Sequence, residues 1–239
     1  MRFIVAAGGS GTRMLPSTRF INKHLIALLN GELMIDKPLQ FLRLHAVDEI
    51  TLVTGSNHAA QMVEYVGDGS QYGFKKVGYA FQPKPAGIAD VLNRISQEGS
   101  EQGVLMILGD NYFSSLQPTL LNLGDADHAA AWEFDLGNPE MAKRFGQVER
   151  DLNNNPLFIT EKPKNPIHGK VLTGLYFFPS DVFKKVQELA PSQRNELEIT
   201  HLLGMYLTEN RLAVHEVEGK WADLGEWNEI RKFVTNDLS

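Results

Sequence analysis

Cysteine is missing from all 239 residues, and with it go disulfides, thiolate zinc sites and a cysteine nucleophile. No apolar run approaches the length of a membrane span. The opening Met1-Arg2-Phe3-Ile4-Val5-Ala6-Ala7 is too short for a signal-peptide core and runs straight into glycines, so a cytoplasmic location is expected. Basic excess is lacking too. A formal net charge of −6 argues against a nucleic-acid backbone as the main partner, because such binding needs a basic face, but it leaves local capture of phosphates open. Repeats, low-complexity tracts and long linkers are also absent. A hydrophobic share of 43% with 22% charged residues excludes a disordered chain.

What is present has an alternating rhythm. Residues 3–7, 50–54 and 104–108 are short continuous apolar runs, the pattern of strands buried on both faces. Helical patterns lie between them. One opens at Pro38 with Leu39, Phe41, Leu42 and His45, and another from Ile88 sets Val91, Leu92 and Ile95 on one face. This alternation predicts an α/β fold with a doubly wound, mostly parallel open sheet. After residue 125 the rhythm changes. Residues 129–134, 145–150, 158–161 and 171–178 read as strands, with Asn153-Asn154-Asn155-Pro156 as a turn, which predicts a mixed-sheet elaboration in the second half. Ser180 is the expected N-cap of a helix carrying Val182, Val186 and Leu189. Ile199, Leu202, Leu203 and Tyr206 mark another helix, and Trp227, Ile230 and Val234 line the last. The expected organisation is one domain over 1–239, divided into a first half (1–125) and a second half (126–239).

Gly8-Gly9-Ser10-Gly11-Thr12-Arg13 follows the first strand directly. Glycines there let the backbone bend tightly and approach a ligand, and successive amides can form an anion site. A dinucleotide fingerprint starting at Gly9 fails because Met14 stands where glycine is needed, and no Gly-Lys pair supplies a Walker-type phosphate loop. Glycine amides with two cations, Arg13 and Lys23, downstream of one strand suit a triphosphate; a tight surface turn is the alternative. Asp110, in Gly109-Asp110-Asn111, lies just past the 104–108 run, where open α/β sheets bind ligands. It reads as a magnesium ligand or as a turn residue. Asp223, in Trp221-Ala222-Asp223-Leu224-Gly225, is a candidate second ligand, with a helix N-cap as the competing reading.

With these segments in order, the chain resembles the sugar-nucleotide pyrophosphorylases, and among them the glucose-1-phosphate thymidylyltransferases in their short form. The resemblance runs from residue 3 to about residue 230. Besides the glycine loop it rests on Asn22-Lys23-His24-Leu25, Gly67-Asp68-Gly69-Ser70-Gln71-Tyr72-Gly73, Gln82-Pro83 with Gly87-Ile88-Ala89, and Gly109-Asp110-Asn111. Further on it includes Glu161-Lys162-Pro163, Thr173-Gly174-Leu175-Tyr176 and Glu196-Leu197-Glu198-Ile199-Thr200. The set in this order is specific where each member alone is weak.

The resemblance implies a Rossmann-like nucleotidyltransferase that joins a nucleoside triphosphate (dTTP or UTP) to a sugar 1-phosphate, releasing pyrophosphate. By it, Gly8, Gly9, Ser10, Gly11 and Thr12 wrap the triphosphate, which Arg13 and Lys23 hold, and Lys162 grips the sugar phosphate. Asp110 and Asp223 bind Mg2+, Gln82 and Gly87 read the base, and Asn111, Gly146, Glu161 and Thr173 face the sugar. A phosphate dianion is already nucleophilic at neutral pH, so the seven histidines receive no catalytic role. Ala27, Leu224, Gln147 and Asp90 depart from the pattern, and the last two bear on which sugar or base fits. The chain also ends near the last matched helix, so feedback control through the extra C-terminal helices of longer members does not carry over, while the resemblance keeps a homo-oligomer among the expected assemblies. A glycosyltransferase would favour an Asp-x-Asp pair where Asp110-Asn111-Tyr112 stands. A nucleotide-sugar sensor would have little need of Arg13, Lys23, Asp110, Lys162 and Asp223 together.

Overall fold

Apolar runs bounded by glycine and polar turns produce the strands, and helices with one apolar face connect them. The computed structural model describes all residues but 29–30, 97–102, 116, 119, 121–122, 124–126 and 237–239, with residue 236 described by its backbone alone. In chain order the first elements are β1 (Arg2–Ala7), α1 (Asp36–Leu44), β2 (Glu49–Gly55), α2 (Ala59–Val66), β3 (Lys76–Gln82), α3 (Asp90–Ile95), β4 (Val104–Leu108) and β5 (Asn111–Phe113). There follow β6 (Ala129–Asp135), α4 (Pro139–Ala142), β7 (Gly146–Arg150), β8 (Pro156–Glu161), β9 (Lys170–Phe178), α5 (Val182–Glu188) and α6 (Ile199–Thr208). The chain closes with β10 (Leu212–Glu216), β11 (Trp221–Asp223) and α7 (Trp227–Asn236). Among the described residues no helix is long and apolar enough to cross a membrane.

The chain divides into two units. The first comprises residues 2–85, 106–117 and 218–239; the second, Met1 with 86–105 and 118–217. In the first unit the strand order is β4-β1-β2-β3. β1 pairs in parallel with β2 (Ile4↔Thr51 through Ala7↔Thr54), and β2 in parallel with β3 (Glu49↔Lys76 through Gly55↔Gln82). Ile4, Val5, Leu52 and Val53 are buried in β1 and β2, and Leu39, Phe41 and Leu42 in α1. Each such side chain contributes roughly 1.5–3 kcal/mol by leaving water. In the second unit the order is β10-β6-β9, with β10 parallel and β9 antiparallel to β6, the latter broken by a bulge between Ala131 and Glu133. The β7–β8 hairpin turns through Asn154, whose φ of 68° suits an asparagine in a tight turn.

Most expected strands and helices stand within a few residues of their predicted positions. One cap does not. Asp181, not Ser180, occupies the position before α5, and it makes no side-chain cap. Its carboxylate instead accepts from Tyr206 Oη (2.8 Å) and pairs with Arg211 (2.8 Å), so a tertiary network has displaced the local capping bond. β3, β5, β10 and β11 had no clear signature in the sequence.

Candidate active site

The glycine loop leaves β1 at its carboxyl end, and each glycine there is crowded by a neighbour. A Cβ on Gly8 would lie 2.2 Å from Gln82 Oε1, and one on Gly9 would lie 2.9 Å from Lys23 Cε. Gly11 has a φ of 65°, and its carbonyl accepts from Thr18 Oγ1 (2.7 Å). The loop therefore needs glycine for close approach as well as for its turn. Thr12 and Arg13 begin a short 3-10 turn beyond it, with Ser10, Thr12 and Arg13 exposed. Gly8, Gly9, Lys23, Gln82 and Pro83 help to line a cavity of about 220 Å³, whose wall also carries the cations Arg19 and Lys84 and no carboxylate. A cavity lined in this way suits an anion.

Beside it stand the two carboxylates. β5 and β11 pair antiparallel, with Asn111 opposite Asp223, so the residue after β4 and the last residue of β11 come together. The Leu224 N–H donates to the Asp110 carbonyl (2.8 Å), and Trp221 Nε1 donates to Asn111 Oδ1 (2.6 Å), which ties the pair. A Cβ on Gly225 would lie 2.9 Å from Asp223 Oδ1, 3.1 Å from Asp110 Oδ2 and 3.4 Å from Arg13 Nη2. Two acids and a guanidinium thus converge on one point that glycine leaves open. Asp223 accepts from the Gly225 N–H (2.9 Å), whereas α7 begins only at Trp227; the carboxylate closes a local turn and does not cap the helix.

Lys23 Nζ sits 2.5 Å from Asp110 Oδ2, and Asn111 Nδ2 donates to the other oxygen at 3.1 Å. Burial is the largest influence and works to raise the Asp110 pKa, but the Lys23 charge, the neighbouring His24 and the hydrogen bonds from Lys23 and Asn111 together outweigh it and hold the carboxyl well below the usual range. Asp223 is pushed up to about 6, first by burial and then by the negative charge of Asp110. Arg13 leans on Glu226 at 2.5 Å. His24 is buried against Gly109 with Nδ1 at 2.8 Å from Asn22 Oδ1, and its pKa falls to about 3 through burial and then Lys23, so it is a neutral structural residue.

The remaining expected residues lie in the second unit. Gly146 pairs with Glu161 across the hairpin, and a Cβ there would meet Thr200 Cγ2 at 2.6 Å. Glu161 accepts from Thr200 Oγ1 (3.1 Å) and Arg194 Nη2 (3.0 Å), with Lys162 Nζ at 3.5 Å. Lys162 has a φ of 47°, and its N–H donates to the Phe145 carbonyl (3.0 Å), which turns the chain sharply after β8. Gly87, at φ 99°, lies against Leu197; a Cβ would come within 2.3 Å of the Leu197 carbonyl oxygen. The Thr173 hydroxyl donates to the Trp132 carbonyl (2.8 Å) inside its own sheet.

Arg194 went unmarked in the sequence. It stands beside Glu161 and also binds Glu198 (2.8 Å). Its only local signal was its place just before the Glu196-Leu197-Glu198 motif, and nothing nearby in the chain pointed to Glu161.

The departures also find places. Leu224 is buried in a cluster with Met14, Ile26, Leu28, Met34 and Ile230, so it is a core residue. Ala27 is exposed and bridges to Leu33. Asp90 is buried and bound bidentately by Arg94 (2.7 and 3.1 Å). Gln147 donates through Nε2 to the His168 carbonyl (2.7 Å) and the Lys170 carbonyl (2.9 Å) and lies 3.1 Å from His168 Nδ1. Its amide therefore straps the segment that follows Lys162.

Known proteins share this chain's sequence pattern and its fold. The family model described as nucleotidyl transferase matches residues 2–239. The glucose-1-phosphate thymidylyltransferase of Neisseria meningitidis serogroup A is 36% identical over 231 residues, covering 94% of this chain and 78% of that protein. That of Neisseria gonorrhoeae is 38% identical over 232 residues with the same coverage, and that of Mycobacterium tuberculosis 33% over 235, covering 96% and 80%. A Bacillus anthracis structure assigned as a glucose-1-phosphate thymidylyltransferase, in complex with a sucrose, superposes with a TM-score of 0.89 at 32% identity, covering 99% of this chain and 94% of that one. A UDP-glucose pyrophosphorylase shares the fold with a TM-score of 0.86 at 17% identity, covering 99% and 98%. A glycine loop opening from a parallel strand, two converging acids and the match along the chain give one conclusion: the chain belongs to the nucleotidyl transferase family and, within it, groups with the glucose-1-phosphate thymidylyltransferases.

Proposed function

We propose that the protein transfers a nucleotidyl group from dTTP or UTP to glucose 1-phosphate or a related hexose 1-phosphate. The observation that carries this reading is the convergence of Asp110, Asp223 and Arg13 on the open point above Gly225, beside a carboxylate-free cavity that holds Lys23. In the reaction a sugar-phosphate oxygen attacks the α-phosphorus, the bond from that phosphorus to the β-phosphate oxygen breaks, and pyrophosphate departs in line. Two polyanions must meet, so repulsion is the main obstacle. Arg13 and Lys23 are the cations for the triphosphate, with the Gly8–Thr12 amides wrapping it. Lys162, joined by Arg194, is the cation for the sugar phosphate. Gln82 and Gly87 are assigned to the base, and Asn111, Gly146, Glu161 and Thr173 to the sugar. The nucleophile is already ionised, so no side chain needs to take a proton.

The two acids suit a magnesium ion. Asp223 is raised to about 6, first by burial and then by the neighbouring Asp110 charge, and a divalent cation beside it would favour its ionised form. Magnesium is commonly held by one or two carboxylates, with phosphate oxygens and water completing its shell. Bound there, magnesium would neutralise charge on the triphosphate. Incubation with dTTP, magnesium chloride and glucose 1-phosphate should release pyrophosphate and yield a nucleotide sugar detectable by mass. Failure across a panel of hexose 1-phosphates and triphosphates would overturn the reading.

A further inference from the structure

Gln61, in the first turn of α2, has no part in the chemistry above, yet its amide is fully engaged with the segment that leads to Lys23. Its Oε1 accepts from the Asn22 N–H (3.0 Å), and its Nε2 donates to the Phe20 carbonyl (2.9 Å). One side chain thereby binds the two backbone groups flanking Ile21, as a neighbouring parallel strand would. The segment needs such a partner. Phe20 is 73% and Ile21 37% exposed, so burial does little to hold it. Its other ties are polar as well: Thr18 Oγ1 to the Gly11 carbonyl, and Asn22 to Thr54 Oγ1 (3.3 Å) and the His24 N–H (3.0 Å). This same segment gives Thr18, Arg19, Ile21, Asn22 and Lys23 to one wall of the 220 Å³ cavity.

We infer that Gln61 is a positioning residue for the triphosphate site, setting Lys23 against Asp110 and fixing the cavity wall from behind. The inference rests on the proposed nucleotidyl transfer. Gln61→Met keeps the shape and loses both hydrogen bonds. Steady-state kinetics should show the KM for triphosphate rising about tenfold, as two lost hydrogen bonds allow, with the KM for sugar phosphate within about twofold. The melting temperature should stay within about 3 °C of the parent. A purely structural role would lower the melting temperature and leave the kinetics of the folded fraction unchanged; that result, or unaltered kinetics and stability together, overturns the inference. If the parent itself releases no pyrophosphate with any sugar phosphate, the functional reading fails separately. Calorimetric titration with dTTP and magnesium then decides for Gln61: about tenfold weaker binding in Gln61→Met supports it, and equal affinity refutes it.

Discussion

Asp110 is the residue on which most of the candidate chemistry turns. It is buried, it carries the Lys23 ion pair, and it shares the point above Gly225 with Asp223. Asp110→Asn keeps the shape and removes the charge, so turnover should fall by about 100-fold or more while the protein still folds. Rate assays and a thermal melt run together check both halves. Gly225→Ala makes the same point sterically. Its methyl would intrude between the two acids, and a drop in kcat is expected with magnesium-dependent activation shifted to higher metal concentration. Lys162→Ala belongs to the other substrate. Capture of sugar phosphate should weaken about tenfold or more with triphosphate affinity nearly intact, and equal losses in two titrations would contradict the assignment.

At the scale of elements, pairing and turns decide where these groups stand. Asn111 and Trp221, 110 positions apart in the chain, are hydrogen-bonded because β5 and β11 pair, and this pairing sets Asp223 opposite Asn111. Gly87 shows the cost of a tight approach. A methyl there would meet the Leu197 backbone in a conformation only glycine adopts freely, and Gly87→Ala should lose about 1–3 kcal/mol by chemical denaturation. In the β7–β8 hairpin, Gln147→Val would leave two carbonyls of the following segment without this donor, and a loss of about 1–3 kcal/mol is expected from the same measurement. Several of these elements were legible beforehand. β1, β2 and β4 are continuous apolar runs, and the α6 face repeats at helical spacing. β5 and β11 are three residues each, too short to carry a period of their own.

For the molecule as a whole, the metal is expected to matter to turnover more than to folding. Two carboxylates form no closed cage, and Lys23 already balances Asp110 without it. Chelation with EDTA should therefore abolish product formation and shift the melting temperature by no more than about 2 °C. A large fall in stability would mean that the ion holds the fold.

By itself the sequence determined the alternating strand–helix order, the glycine loop after the first strand, and the identity of the charged groups. Those are properties of residue type and short spacing. The tertiary structure alone decided which groups meet. Asp223 reads more readily as a helix cap in the bare sequence, and only β-pairing carries it to Asp110; Arg194 has no local tie to Glu161, and Gln61 is an unremarked helical glutamine until the fold sets its amide against Phe20 and Asn22. The physical reason is range. Propensity and periodicity act over a few residues, whereas convergence of charges depends on contacts between segments distant in the chain, chosen by burial and pairing over the whole fold.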